Sequence, residues 1–283
     1  MGCRIVGLAA ATLLFVSAGA AFGEQPSAAG THYRLCLSHK EAGRITEALT
    51  ECRAAVARRP DYVAAHLTLG GLLRRQRDYE GAAAEFSRVV ELDGRNAEAH
   101  ALLGAVRLRL EQFDGAEEAL RRAVELNDAD ASSHNNLAVV LRRARRFEEG
   151  LTHAERAVAL EPNEAMFHNT LGILYRHMRR FDDGIRELRR AVELERDNPR
   201  YHFDLGVALR AQEQYDQAIP VYREALRLSP NMAPALYELA LMLQATGQDD
   251  EAVEAFERWL RIAGDRDPTT ASSVRRRIEN LRP

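Results

Sequence analysis

Six histidines, His32, His66, His100, His134, His168 and His202, recur every 34 residues with no insertion or deletion between them. A strict period of that length with helical character predicts stacked helix-turn-helix units, because one unit cannot bury its apolar face alone and covers it on the next. In register with the histidines the chain divides into seven units, residues 29–62, 63–96, 97–130, 131–164, 165–198, 199–232 and 233–266. Slot eight of each unit is small: Cys36, Gly70, Gly104, Ala138, Gly172, Gly206 and Ala240. So is slot twenty, with Ala48, Ala82, Ala116, Gly150, Gly184, Ala218 and Ala252. Small residues at fixed slots let two antiparallel helices approach closely, and large apolar residues at slots seven, twenty-four and twenty-eight fill the space beside them. The predicted class is all-α, a solenoid of helix pairs, each with a helix A and a helix B.

These residues resemble the tetratricopeptide repeat, whose pattern is an aromatic, then Leu-Gly, a Tyr, an Ala, an aromatic, an Ala and a closing Pro. The fullest match is Leu205, Gly206, Tyr215, Ala218, Tyr222, Ala225 and Pro230, with Pro60 and Pro162 closing two other units at the same slot. The resemblance covers about 84% of the chain. Histidine stands where the family often has tryptophan, and Gly150 and Gly184 each cost helix B roughly 1 kcal/mol relative to alanine. The resemblance implies a right-handed superhelical solenoid and a non-catalytic scaffold or adaptor that holds an extended peptide or a partner protein in the concave groove lined by the A helices.

The two ends differ from the array. Asp267-Pro268 suits a helix start, and Ala271, Val274, Ile278 and Leu281 then share one face, so residues 267–283 are expected to cap the last apolar surface. Residues 1–23 have the form of a secretory signal, with Arg4, an apolar run from Ile5 to Phe22 and a small-residue exit, followed by a short linker, 24–28. The alternative is an uncleaved anchor, since the run reaches the lower limit for crossing a bilayer. The first reading makes the protein exported, periplasmic or secreted, and the second ties it to a membrane through that segment alone.

Export bears on Cys36 and Cys52. Both lie in the first unit, one on each helix and each eight residues from a turn near residue 44, so antiparallel helices place them opposite each other. An oxidising compartment makes them a disulfide candidate, and the alternative is two reduced thiols filling small slots.

The formal net charge is −3, and loss of residues 1–23 removes only Arg4, leaving −4. Nothing in that balance points to nucleic acid. Slot twelve nevertheless carries Lys40, Arg74, Leu108, Arg142, Arg176, Arg210 and Gln244, and slot thirteen adds Arg75, Arg109, Arg143 and His177. One reading is a basic band for an acidic ligand in the groove of repeats three to six. The other is ordinary cation placement at helix C-termini, balanced by Glu80, Asp114, Glu148, Asp182, Asp216 and Asp250 at the starts of the B helices. At slot five, Asn135 and Asn169 offer amides that can donate to and accept from a peptide backbone. That pair resembles the asparagine ladder of the repeats attached to O-linked N-acetylglucosamine transferases. The alternative is that polar groups simply keep the groove soluble. Tyr33 replaces the lysine expected of a chaperone-tail clamp.

Equivalent histidines in successive repeats stand at least one helix spacing apart, roughly 8–10 Å, whereas a zinc ligand sits at about 2.0–2.1 Å from its metal. No metal, cofactor or catalytic constellation is expected. The imidazoles are expected to be buried packing groups with one ring nitrogen hydrogen-bonded. If they are neutral, their stabilising effect is lost on acidification. A second class of function is a structural or assembly subunit of an envelope secretion, pilus or polysaccharide-export machine, engaged through the convex face. An exposed apolar patch on the B helices would mark it.

Overall fold

The computed structural model describes residues 27–282, and the predicted signal segment lies outside them. Fifteen α-helices account for the secondary structure of the described residues. The chain divides into two compact units, one ending at Pro60 and the other beginning at Asp61.

The first unit holds α1 (Ala28–Glu41) and α2 (Ile45–Arg58), packed against each other. Cys36 and Cys52 join them in a disulfide, with Cα atoms 5.2 Å apart. Leu35 departs from the predicted filled slot seven: it is 44% exposed. Its counterpart Leu103 is buried and faces the B helix of the preceding repeat, a neighbour that no described element supplies to Leu35.

The second unit contains six pairs: α3 (Val63–Arg75) with α4 (Tyr79–Leu92), α5 (Ala97–Arg109) with α6 (Phe113–Leu126), and α7 (Ala131–Arg143) with α8 (Phe147–Leu160). They continue with α9 (Ala165–His177) and α10 (Phe181–Leu194), α11 (Pro199–Ala211) and α12 (Tyr215–Leu228), then α13 (Ala233–Ala245) and α14 (Asp249–Ala263). Within this unit, each B helix from α4 to α12 also packs on the A helix that follows it. The last helix, α15 (Pro268–Leu281), starts with the Asp267 carboxylate accepting from Thr270 N–H, and it buries Ala271, Val274 and Ile278 against the array.

Helix approach is set at slots eight, twenty and twenty-four. A Cβ added to Gly70 would lie 2.6 Å from the Phe86 ring, and one on Gly206 equally close to Tyr222. The disulfide occupies the same pair of slots, replacing a glycine-on-ring contact with a covalent one. In repeat five the backbones themselves meet, since a Cβ on Gly172 would fall 2.9 Å from Gly184 O and one on Gly184 would fall 3.0 Å from Gly172 O. Gly184, which costs helix propensity, therefore permits the closest approach of α9 and α10.

Each described A-to-B turn of the array places slot fifteen at positive φ, between 57° and 73°, with glycine only at Gly43 and Gly247. In repeat four Arg145 N–H donates to Arg142 O and Arg146 N–H to Leu141 O, the bonding of a left-handed C-terminal cap.

The histidines do more than pack. Nε2 donates to a backbone carbonyl six residues upstream at His100, His134, His168 and His202, tying each A helix to the loop before it. Nδ1 faces slot twenty-three, where it meets Glu51 from His32, Glu85 from His66 and Glu187 from His168, at 2.6 to 2.8 Å. His134 meets His153 there instead, at 3.0 Å. The imidazoles do not share one environment: at His168 the hydrogen bond to Glu187 raises its pKa and lowers that of Glu187. Burial acts the other way on His153, with His134 adding to the fall.

Candidate functional site

The A helices of repeats four to seven share one inner face, with α7 against α9, α9 against α11 and α11 against α13. Residues at slots two, five, six and twelve meet there, because these positions lie on one side of a helix of 3.6 residues per turn.

Arg142, Arg176 and Arg210 come together on this face as three half-buried guanidiniums from consecutive repeats. Burial is the main cause that lowers the Arg142 pKa from the ordinary arginine value, and Arg143, Arg176 and Arg200 lower it further, against Asp204. Burial likewise lowers Arg176, with Asp204 opposing and Arg210 reinforcing the shift. Two acids interrupt the predicted basic band. Asp204 is buried, accepts from Arg200 Nε at 2.8 Å and receives Asn169 Nδ2 at 3.3 Å. Glu238 Oε2 lies 2.9 Å from Arg210 Nε, and burial still holds its carboxyl above the usual carboxylate range.

The asparagines are not an open ladder. Asn135 and Asn169 are only 1% and 9% exposed, wedged where neighbouring A helices pack, so they line the site from beneath rather than project into it. Their Oδ1 atoms accept no hydrogen bond, and Arg142 Nε donates none. Arg109 and Arg143 stand apart from the central trio as exposed side chains at the ends of α5 and α7. His177 stacks on Phe147 with ring centroids 4.9 Å apart while its Nε2 stays 3.4 Å from Arg176 Nη2, and burial, then Arg176, lowers its pKa.

Sequence reasoning missed Asp204, Glu238 and Arg200. The signal was present in the i, i+4 spacing of Arg200 and Asp204 and in slot six, which lies next to the asparagine slot on the same helix face. Among the described residues no group of three or more His, Cys, Asp or Glu side chains is arranged to hold a metal ion. Nor is any described helix long and apolar enough to cross a membrane.

Models of the tetratricopeptide repeat match residues 33–97 and 169–233, 73–139 and 209–276, and 131–160. Together they span most of the chain. The chain belongs to the tetratricopeptide repeat family. No curated protein matches its sequence. Solved structures of similar fold include the MamA protein, at 20% identity and a TM-score of 0.56 over 61% of this chain and 94% of that one. A chain of the Cut9–Hcn1 hetero-tetramer of the APC/C aligns over 88% of this chain, with a TM-score of 0.70 and 18% identity, and the aligned part covers 48% of that longer chain. YrrB, described as a TPR protein with an unusual peptide-binding site, aligns over 64% of this chain and 93% of its own, at 18% identity and a TM-score of 0.52. At these identities the likeness is one of fold: stacked tetratricopeptide helix pairs without a strand among the described residues.

Proposed function

We propose that the chain is a non-catalytic scaffold that holds an extended, acidic segment of a partner protein against the A-helix face of repeats four to six. The observation that carries this reading is the trio Arg142, Arg176 and Arg210, desolvated, mutually repulsive and offset by only the two acids Asp204 and Glu238. A carboxylate bound there gains charge-assisted hydrogen bonds and relieves the repulsion. Met166, a large apolar side chain left 45% exposed, stands at slot two of this face in repeat five, which favours it as a docking surface. YrrB, similar in fold, is described as having a peptide-binding site.

Export belongs to the same proposal. The Cys36–Cys52 disulfide supports an oxidising compartment and closes a short loop in the terminal repeat, worth about 3 kcal/mol. Two free thiols in the denatured, unreduced, exported protein would count against it.

The binding test is fluorescence anisotropy with a labelled polyglutamate peptide. Arg142→Ala and Arg176→Ala are each expected to weaken binding at least tenfold, equivalent to about 1.4 kcal/mol. Arg143→Ala is expected to change it less than about threefold, as befits an exposed charge. Equal effects of all three substitutions would leave only nonspecific attraction and reject the site.

A further inference from the structure

The repeated histidine-to-glutamate contact is broken once in a way that opens a cavity. In repeat three, slot twenty-three is Ala119 where repeats two and five have Glu85 and Glu187, and Ala119 lines a cavity of about 650 Å³ between α4, α5 and α6. His100 lines it. The residue is only 8% exposed, its Nε2 donates to Gly94 O at 3.2 Å, and its Nδ1 has no partner. Val90, Leu103 and Ala119 supply apolar walls.

Charged groups face the cavity from each helix. From α4 comes Glu91, which Arg88 already pairs at 2.9 Å. From α6 come Arg121, committed to Glu117 and Glu149, Arg122, committed to Glu125, and Glu118. From α5 comes Arg107, whose hydrogen bond goes to the backbone carbonyl of Gly115 rather than to a carboxylate. An imidazole nitrogen and a guanidinium with no carboxylate partner thus share an apolar-walled cavity of a size that suits a small ligand.

We propose that this cavity binds a small monocarboxylic acid, whose carboxylate takes the place of the missing slot-twenty-three glutamate and accepts from His100 Nδ1 and Arg107. The hydrogen-bond pattern imposes a proton. A carbonyl oxygen only accepts, so His100 Nε2 already carries hydrogen and neutral His100 has a lone pair on Nδ1. For Nδ1 to donate to a carboxylate, the ring takes up one proton from solvent as the acid anion binds. The glutamate-paired His168, with both ring nitrogens donating, is the built-in version of that bound state. Repeat seven provides an internal control. Ala255 occupies slot twenty-three beside a smaller cavity of about 290 Å³, but slot four is Leu236 and offers no imidazole. This site is separate from the A-helix face and independent of what binds there.

The test is amide-detected NMR titration of the full chain with hexanoate, and with hexanol as the uncharged control, at pH 6 and pH 8. Hexanoate is expected to shift the Leu103 and Ala119 amides and to bind at least tenfold more tightly at pH 6, the linkage of one proton taken up. Ala119→Glu restores the internal carboxylate and is expected to abolish hexanoate binding while keeping or raising the melting temperature. His100→Gln is expected to remove the pH dependence and leaves a second test if Ala119→Glu does not fold. Equal binding of hexanoate and hexanol, unchanged binding in Ala119→Glu, or no shift at Leu103 and Ala119 at pH 6 would each overturn the proposal.

Discussion

Repeats three and five begin with the same histidine slot and end in different physical states. In repeat five His168 is closed on both sides, by Pro162 O and by Glu187, and the helices meet backbone to backbone at Gly172 and Gly184. In repeat three His100 keeps the carbonyl contact and loses the carboxylate, because Ala119 stands where Glu187 does. The repeated residue therefore does not carry a fixed chemistry. Its partner nineteen positions later decides whether the imidazole is a charged structural bridge or a half-satisfied wall of a cavity.

Helix approach gives the largest way to break this comparison. Gly172→Ala is expected to cost about 2–3 kcal/mol in urea unfolding, since the new methyl meets the fixed backbone oxygen of Gly184. Gly104→Ala meets Leu120 Cγ much as Gly172→Ala meets Leu188 Cγ, but its nearest backbone atom is 3.2 Å away rather than 2.9 Å, so it should cost less, about 1–2 kcal/mol. Equal losses would mean that the two repeats are packed alike. Next in size, Glu187→Ala makes repeat five resemble repeat three and is expected to cost about 1–2 kcal/mol near pH 6, and less at pH 8.

The pH dependence follows from the signs of the shifts. The raised pKa of His168 gives stability that is fully present below the unfolded value of about 6.5 and is lost as pH rises through the folded value. The depressed pKa of Glu187 gives stability that is present above its unfolded value and is lost as pH falls through the folded one. The pair therefore acts most strongly in the mildly acidic window between. His153 is opposite in sign to His168: its contribution is present above about pH 6.5 and falls as pH drops through its depressed value. Melting temperatures of His168→Phe and His153→Phe should therefore diverge from wild type in opposite pH directions. Parallel curves would show that the two imidazoles share one environment. The smallest expected effect is at the turns. Arg145→Gly, at φ 62°, relieves a left-handed non-glycine residue and should add about 0.5–1 kcal/mol, a rise in melting temperature of a few degrees at most.

Much of the architecture was legible in the chain itself. Period and small slots locate the helices, and Cys36 and Cys52 fall on facing helices by counting from the turn. Ala271, Val274 and Ile278 announce the face that α15 buries. The candidate site was legible only in outline. The arginine slot marks Arg142, Arg176 and Arg210, but the sequence does not reveal that Asp204 and Glu238 reach the same face, that His177 turns onto Phe147, or that the asparagines are buried. The left-handed turns at Arg77, Glu111, Arg145, Arg179 and Glu213 were also silent, since none of these residues advertises a positive φ.

The division has a physical basis. A repeat propagates local rules, namely helix period, close approach at small residues and turn length, and these depend on neighbours a few positions away or exactly one unit on. Sequence alone therefore determined the helix pairs and the register that places each slot on a helix face. Protonation, burial and cavity volume depend on which side chains from three or four helices converge on one point, and each is a sum of opposing terms. Only the tertiary structure decided that His168 is bridged, that His100 faces open space, and that three arginines from consecutive repeats share one desolvated surface.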